Sequence, residues 1–245
     1  SKKVRMITLL LIPFVPCTAS LAVLTLVSAA IFGSHAAYVA WSIMVLNIVV
    51  LGIVGSILSK SLREQDAPFI MELPIYNTPD IKTIASVVWT RTLSFLHNAG
   101  TVILGVSVII WLLSYFPTGK VEDSLLASFG KLLQPLGVPL GLDWKMITAL
   151  LTGLVAKENV VATLGVLFSV GREGLTDILP IIMSHPSAAA FLVVMMLFIP
   201  CAGTAAVLKK EMNSNKWFYA TIIMTLIISY LGGVAAYNFV KWLGI

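Results

Sequence analysis

Long apolar runs alternate with short polar connectors along the whole chain. Six runs, each near the roughly 20 residues that a helix needs to cross the hydrocarbon core, lie at 6–32, 36–58, 99–116, 146–168, 188–208 and 217–242. A membrane β-barrel would instead show alternating segments of about ten residues. The pattern therefore predicts an all-α, polytopic transmembrane domain.

Prolines inside two of these runs predict broken or kinked helices. A proline lacks the backbone N–H and clashes with the carbonyl four residues back. Pro16 would free the carbonyl of Ile12 in the first run, and Pro200 would free that of Met196 in the fifth. In lipid such backbone survives only where protein or a water-lined cavity satisfies it.

The two proline sites have similar sequences. FVPCTASLAV (14–23) and FIPCAGTAAV (198–207) share Phe, Pro, Cys, Ala and Val, with a hydroxyl residue three positions after each cysteine. Thiol, hydroxyl and carbonyl groups together suit a borderline transition metal better than Na⁺ or Mg²⁺, and transporters often place broken helices in repeats near the midplane. The competing interpretation is that both cysteines are small packing residues. The candidate metal and path residues here are Cys17, Thr18, Ser20, Cys201 and Thr204.

The fourth run carries ionisable residues at membrane depth. If the run forms one continuous helix, four polar residues, named below as the polar stripe, fall within about 60° of one another around the helix axis. Glu158 then lies some 80–100° from the centre of that stripe, and Lys157 lies nearly opposite it. Such residues indicate a pathway or binding site; the alternative is a broken or shallow segment in which Lys157 snorkels and Glu158 touches water. The polar stripe comprises Thr148, Thr152, Asn159 and Thr163.

Glu211 follows Lys209 and Lys210 at the end of the fifth run. This pattern predicts a solvated helix end. Glu211 would lie near enough to Cys201 to gate an entrance.

The connectors divide the chain and orient it. We predict a cysteine-bearing helix pair at 1–60, an interfacial connector at 61–95 and a gate-like transmembrane region at 96–245, with a second amphipathic surface helix inside 117–145. We counted the Lys and Arg residues, apart from Lys157, on the two sides of the membrane. The side that carries the N-terminus has 9 and the other side 6 if the run 146–168 spans the membrane, and the counts are 10 and 5 if that run is re-entrant. By the positive-inside rule, both schemes place the N-terminus on the cytoplasmic side of the membrane.

Composition excludes several classes of function. The chain is 58% hydrophobic and only 11% charged, against about 25% charged in soluble domains. The net charge of +5 comes mostly from residues between the apolar runs, as in membrane topology, so we expect lipid as a partner and no nucleic acid. Two cysteines form neither a disulfide framework nor a zinc motif, and no phosphate-binding glycine loop occurs.

Four stretches occur in an order that resembles a known family. They are RMITLLLIPFVPCTASLAVL, MELPIYNTPDIKTIASVVWTRTLSFLHNAGTVIL, GLVAKENVVATLGVLF and FIPCAGTAAVLKKE. Together they cover nearly the whole chain and resemble the C-terminal membrane part of the ferrous iron transport protein B family. Where that family usually continues its first motif with Ala-Arg-Leu-Pro-Val-Tyr, this chain has ASLAVL, which makes Cys201 the stronger of the two cysteine candidates.

The resemblance implies the permease half of a GTP-linked Fe²⁺ transporter in a bacterial or archaeal inner membrane. Cys17 and Cys201, with Glu158 as a nearby carboxylate, would then lie along the iron path, with no permanently bound cofactor and Fe²⁺ as the transported ion. GTP would act only through a separate domain, so this chain itself would not be an enzyme. The implied partners are the N-terminal GTPase and first gate part, a small cytosolic accessory protein and, as an open question, further copies of the chain.

Two other functions stay open from the residues alone. A gate-type permease for a nucleoside or other organic solute would share the broken helices and be indifferent to loss of the thiols. A non-transporting membrane scaffold would need Glu158 for assembly rather than for flux.

Overall fold

The computed structural model describes residues 2–61, 79–95, 100–116, 124–171, 174–198 and 200–244. Within these ranges the chain is helical and contains no strand, so the predicted all-α class is confirmed. The α-helices are, in order, α1 (Lys2–Leu11), α2 (Thr18–Phe32), α3 (Ala36–Ser61), α4 (Ile81–Phe95), α5 (Thr101–Tyr115), α6 (Leu125–Gly137), α7 (Trp144–Thr152), α8 (Asn159–Leu167), α9 (Leu175–Ile182), α10 (His185–Leu197), α11 (Ala202–Met212) and α12 (Asn215–Trp242).

Both Pro-Cys sequences interrupt a helix, as predicted. After α1 the chain makes a 3₁₀ turn at Ile12–Phe14, and the Val15 N–H donates to the Ile12 carbonyl at 3.0 Å. The carbonyl predicted to be freed by Pro16 is thus satisfied one turn away. Each cysteine is the N-cap residue of the half-helix that follows, Cys17 of α2 and Cys201 of α11.

The two broken helices run antiparallel to each other. At one end the Arg5 guanidinium of α1 contacts the Glu211 carboxylate of α11 at 2.9 Å. At the other end the Phe32 ring of α2 lies 5.3 Å from the His185 ring of α10. Because α2 and α10 each extend roughly 20 Å from their breaks at 1.5 Å per residue, the breaks lie deep between the two ends.

The second broken helix supplies the centre of the molecule. Every residue of α10 from Ser187 to Leu197 is buried, and α2, α3 and α12 pack around it. An apolar helix without a polar face has to be enclosed in this way. Gly232 and Gly233 let α12 approach closely, because a Cβ at Gly233 would meet the Val194 and Leu140 side chains.

The fourth apolar run folds back on itself instead of crossing. The Lys145 ammonium at the start of α7 donates to the Leu167 carbonyl at the end of α8, at 2.9 Å. The hydroxyls of Thr152 and Thr163 lie 2.9 Å apart near the other end of the two helices. The re-entrant form is therefore the one observed, and treating 146–168 as one continuous helix was wrong, because the chain leaves the helix between Thr152 and Asn159.

The connectors are described only in part. Most of the predicted interfacial segment, 62–78, lies outside the described residues. Asp80 precedes α4, and its hydrogen bonds from the Thr83 hydroxyl and from the Lys82 and Thr83 amides lower the pKa of its carboxyl. In the second connector α6 is helical as predicted, and the chain bends by 107° between Leu125–Leu140 and Trp144–Thr152.

Three stretches in the described part of the chain are long and apolar enough to cross a membrane: Val4–Ser61, His185–Met212 and Asn215–Trp242. The bent pair Leu125–Leu140 and Trp144–Thr152 would add a fourth. Large apolar side chains such as Tyr38, Trp41 and Ile48 of α3 point outward, as they do in a helix that faces lipid. The chain is a multi-pass membrane domain with broken helices.

Candidate cation site

Three non-helical segments meet near the middle of the molecule. They are the two Pro-Cys breaks and the hairpin tip Gly153–Glu158. The Ala202 N–H, just after the second break, donates to the Leu154 carbonyl of the tip at 2.8 Å. The tip makes a second hydrogen bond to the same broken helix, in which the Lys157 side chain donates to the Met195 carbonyl at 3.2 Å. Irregular backbone at this depth is stable only when protein groups satisfy it in this way.

Cys17 is held by a reciprocal pair of bonds with Ser20. The Ser20 hydroxyl accepts from the Cys17 N–H at 3.0 Å and donates to the Cys17 carbonyl at 2.8 Å. The Cys17 sulfur accepts from the Ser20 N–H at 3.4 Å. The thiol is exposed and Thr18 is exposed beside it, so this capping box presents a sulfur at the positive end of α2.

Cys201 has the corresponding place at the second break. It is half-buried, and its sulfur lies 3.4 Å from the Thr204 hydroxyl. Each half-helix therefore begins with a thiol and a hydroxyl three positions apart. The sequence similarity between the two breaks thus corresponds to a similarity in local structure.

Lys157 is buried on the hairpin tip. Its side chain is only 9% exposed, and its Nζ donates to the Met195 carbonyl near the end of α10. On the continuous helix assumed from sequence, Lys157 would face away from the polar stripe. In the hairpin tip it turns toward the second broken helix instead.

The predicted polar stripe is divided by the turn of the hairpin. Thr148 is fully buried and donates to the Trp144 carbonyl of its own helix at 2.7 Å, whereas Thr152 and Thr163 bind each other across the hairpin. Glu158 and Asn159 line a separate cavity of about 600 Å³ on the outer side of α8. The stripe therefore supports the hairpin, and Glu158 lies apart from the two thiols.

Glu211 lies at the molecular end and not beside Cys201. Glu211 lies ten positions after Cys201, roughly 15 Å at the helical rise. Its carboxylate and its carbonyl both accept from Arg5, at 2.9 and 3.0 Å. A role as a gate stays a prediction, and it would act through the contact between α1 and α11.

We expect Glu211→Gln to change the free energy of unfolding by less than about 1 kcal/mol, because an ion pair with both partners exposed is worth little. The side chains of Arg5 and Glu211 are 65% and 51% exposed. Thermal unfolding in detergent, with the exposed Lys210→Gln as the matched variant, measures this. A loss of several kcal/mol for Glu211→Gln alone would show that the pair clamps the two half-helices together.

Asn47 is a buried polar residue that the sequence analysis did not single out. Asn47 of α3 is 1% exposed, and neither polar atom of its amide has a hydrogen-bond partner among the described residues. It lies eight residues, roughly 12 Å, before Gly55, which faces Leu11 of α1. This spacing places Asn47 toward the depth of the two Pro-Cys breaks. The sequence signal that could have identified Asn47 was a single amide side chain within a 26-residue apolar helix.

The described residues contain no group of three or more His, Cys, Asp or Glu side chains that could hold a metal ion. A cation at the crossing, the place where the two Pro-Cys breaks and the hairpin tip meet, would therefore have thiols, neighbouring hydroxyls, backbone carbonyls and water as ligands. Such a mixed, incomplete set is suited to an ion that passes rather than one that stays.

Two family descriptions match the chain. Residues 40–91 match the ferrous iron transport protein B C terminus, and residues 96–215 match the gate family described as nucleoside recognition. No solved structure gives a significant match.

Curated relatives extend the similarity to nearly the full sequence. An Fe(2+) transporter FeoB of Staphylococcus aureus is 36% identical over 240 residues, covering 94% of this chain and 36% of the relative. The Fe(2+) transporter FeoB of Methanocaldococcus jannaschii is 33% identical over 244 residues, with the same two coverages. An Fe(2+) transport protein A/Fe(2+) transporter FeoB fusion protein of Porphyromonas gingivalis is 29% identical over 297 residues, 97% of this chain and 35% of the relative. The chain thus spans about a third of the length of these relatives.

Proposed function

Because the chain belongs to the C-terminal membrane region of the ferrous iron transport protein B family, we propose that it forms part of the Fe²⁺ path of a membrane transporter. One observation carries the proposal. The two thiols of the chain are the N-cap residues of the half-helices that follow the two breaks, and the second break is bonded to the hairpin tip through the Ala202 N–H and the Leu154 carbonyl at 2.8 Å.

The chemistry of the crossing fits Fe²⁺ as a substrate. Thiolate selects softer and borderline ions over Na⁺, Mg²⁺ and Ca²⁺. The Thr204 hydroxyl lies beside the Cys201 sulfur and can replace part of the hydration shell. Conduction needs binding that is weak and distributed over several sites, so the path would begin and end at further polar groups, for which Asn47 on one helix and Glu158 with Asn159 on the hairpin are candidates.

The charge distribution supports an orientation. Arg5, Lys60, Lys209, Lys210 and Lys216 lie toward the end where α1 begins and α11 finishes, whereas Lys131, Lys145 and Lys241 lie toward the other. By the positive-inside rule the first end faces the cytoplasm. The membrane would be the inner membrane of a bacterium or archaeon.

The remaining parts of the transporter are expected on other segments. The relatives are about three times as long as the matched region, which leaves room for a GTP-hydrolysing domain and a first gate region. The fusion relative joins Fe(2+) transport protein A to the transporter, which supports a small accessory protein as a cytosolic partner.

We expect the double variant Cys17→Ser, Cys201→Ser to lower Fe²⁺ uptake by at least about tenfold, equal to a loss of about 1.4 kcal/mol, because hydroxyls bind Fe²⁺ more weakly than thiolates. Uptake would be measured under anaerobic, reducing conditions in proteoliposomes of the transporter that contains this chain. Each single variant is expected to fall between the wild type and the double variant. Matching thermal unfolding of all four proteins in detergent excludes a folding defect.

Unchanged uptake in the double variant would overturn the role of the thiols. The matched description of residues 96–215 as nucleoside recognition favours one competing function, a permease for an organic solute. Competition of Fe²⁺ uptake by a nucleoside mixture, or nucleoside flux that is indifferent to both cysteines, would favour that function instead.

A further inference from the structure

A long apolar cavity of about 880 Å³ lies between α3, α10 and α12. Its floor is the buried α10, of which Ala189, Val193 and Leu197 face the cavity, and α3 and α12 form its two walls. The cavity opens on the outer face of the molecule, where its lining residues Leu46 of α3 and Phe239 of α12 are 39% and 61% exposed. In the described part of the chain, no residue of the candidate cation site lines it. The cavity therefore needs an explanation of its own.

This cavity runs along one half of the membrane. Its floor extends from His185, the first residue of α10, to Leu197, the last, which is roughly 18 Å at the helical rise. Half of the hydrocarbon core is about 15 Å thick. Tyr38 and Trp242, at the same end as His185, are 76% and 81% exposed, and exposed Tyr and Trp residues are typical of the headgroup level. The cavity thus begins at the headgroups and ends near the middle of the bilayer.

The two ends of the cavity differ in polarity. His35, His185 and Tyr38 line the outer end, whereas the described residues that line it deeper than Ser42 are all apolar. The N-termini of α3 and α10 lie at the outer end and add partial positive charge there. No acidic side chain lines the cavity among the described residues. An anionic head and an apolar tail therefore match its two ends.

The histidines can donate to such a head. The His35 ring contacts the Ser34 hydroxyl through Nδ1 at 3.2 Å, which leaves its Nε2 for a ligand. The His185 ring packs at 5.3 Å from the Phe32 ring, which fixes it at the mouth. A few polar groups at one end of an apolar cavity are typical of ligand sites, which have volumes of about 300–1,000 Å³.

The cavity is narrower than a transmembrane helix. A helix with its side chains is about 10–12 Å across, so 18 Å of helix would fill on the order of 1,400–2,000 Å³. The α12 wall is lined by the small residues Gly232, Ala235 and Ala236, and a Cβ at Gly232 would already lie 3.0 Å from the Leu197 side chain. A flexible chain one methylene wide can follow such a groove, and a helix would have to separate its walls.

We propose that this cavity is a phospholipid site, in which an acyl chain lies on α10 between α3 and α12 and the phosphate lies at His35 and His185. Bulk lipid tails are as apolar as the groove, so the apolar walls alone would not prefer a resident lipid to a passing one. Retention depends on the contacts at the mouth and on packing. The acyl chain reaches Leu197, the last residue of α10 before the second break, and so supports the end of that half-helix.

Lipid retention measures the proposal directly. The transporter that contains this chain is reconstituted in vesicles of phosphatidylglycerol and phosphatidylcholine, extracted in a mild detergent and examined by native mass spectrometry. We expect the wild type to retain one phospholipid per chain. Ala235→Trp places a large ring in the groove and is expected to lower the retained fraction by about tenfold, equivalent to about 1.4 kcal/mol. Ala220→Trp, at an exposed position of the same helix outside the cavity, is the matched control and is expected to retain the lipid.

A second variant tests the mouth. The double variant His35→Phe, His185→Phe keeps two rings, including one that can pack on Phe32, and removes the ring N–H donors. We expect it to lower the retained fraction by about tenfold, because hydrogen bonds to a charged group are stronger than those between neutral groups. Unchanged retention in this variant would show that the phosphate does not lie at the histidines and would overturn the assignment.

Other occupants give different results. Equal retention in Ala235→Trp and Ala220→Trp, or no retained phospholipid in the wild type, would overturn the proposal. A change of oligomeric state in Ala235→Trp would assign the groove to a second copy, and loss of the contact with the rest of the transporter would assign it to another of its helices. If Ala235→Trp does not fold, Leu46→Trp fills the same groove from the α3 wall. Since lipid retention is measured without iron, these outcomes are independent of the cysteine variants that test the proposed function.

Discussion

Ala202→Pro is expected to abolish most transport while leaving α11 intact. Ala202 is the first residue of that helix, a position that suits the fixed φ of proline and needs no N–H for the helix itself. Its N–H is used instead in a bond to the Leu154 carbonyl of the hairpin tip, at 2.8 Å. The preceding Cys201, with φ −60° and ψ 161°, already has the extended backbone that a residue before proline requires.

The substitution therefore removes one inter-segment hydrogen bond with little other change in the backbone. A buried carbonyl left unsatisfied costs about 1–3 kcal/mol, and the proline ring would also occupy the space of the lost N–H and push the tip away. Since Lys157 is on that tip, its hydrogen bond to the Met195 carbonyl would be lost as well. Fe²⁺ uptake and thermal unfolding of the same preparation measure the two consequences.

Asn215→Pro is the matched control. Asn215 is the first residue of α12, is exposed, and follows Ser214, which has φ −152° and ψ 118°. Its N–H makes no hydrogen bond among the described residues, so we expect its free energy of unfolding to change by less than about 0.5 kcal/mol. Wild-type uptake in Ala202→Pro would mean that the bond between the second break and the tip has no part in transport.

The breaks at the Pro-Cys sequences were predictable because their cause is local. A proline disfavours the helix in its own turn, so breaks at Pro16 and Pro200 were the expected outcome, although Pro135 and Pro180 lie within α6 and α9. The antiparallel arrangement was not predictable in the same way. It depends on contacts between residues about 200 positions apart, such as that of Arg5 with Glu211.

The hairpin tip shows where sequence patterns stop being informative. Residues 153–158 contain no proline and only Gly153 as a weak helix former, so a continuous helix was the natural assumption. The turn is stabilised by a bond from Ala202 and by the contact of Thr152 with Thr163, which no local pattern encodes. Helical-wheel angles assume that the helix continues, so they could not anticipate that Lys157 binds the Met195 carbonyl of α10.

The geometry assigns different tasks to adjacent residues of the tip. Lys157 donates to the Met195 carbonyl of α10 and Glu158 faces a separate cavity, although both were candidates from the same depth argument. A turn, unlike a helix, can send successive side chains in opposite directions. An ion that leaves the sulfurs on the side of α8 would next meet Glu158, which makes this carboxylate a candidate for the path beyond the crossing and not for the crossing itself.

Gly233→Val is expected to destabilise the whole domain by about 1–3 kcal/mol or more, the range of overpacked cores. Gly233 lies where α12 packs on the buried α10, and a Cβ there would overlap the side chains of Val194 and Leu140. Leu140 can change rotamer, but Val194 is stiff at χ1 and is enclosed on the central helix. Relief therefore requires α12 to move away from α10, which also displaces the half-helix that ends at the second break.

Gly52→Val separates this effect from the general cost of a β-branched residue in a helix. Gly52 lies in α3, and a Cβ there meets nothing within 4 Å, so its free energy of unfolding is expected to change by less than about 0.5 kcal/mol. For a chain of this size each kcal/mol corresponds to about 2–4 °C in Tm, which thermal unfolding in detergent resolves. Equal melting temperatures for the two variants would contradict the close packing of α12 on α10, and with it the rigid support that holds Cys201 at the crossing.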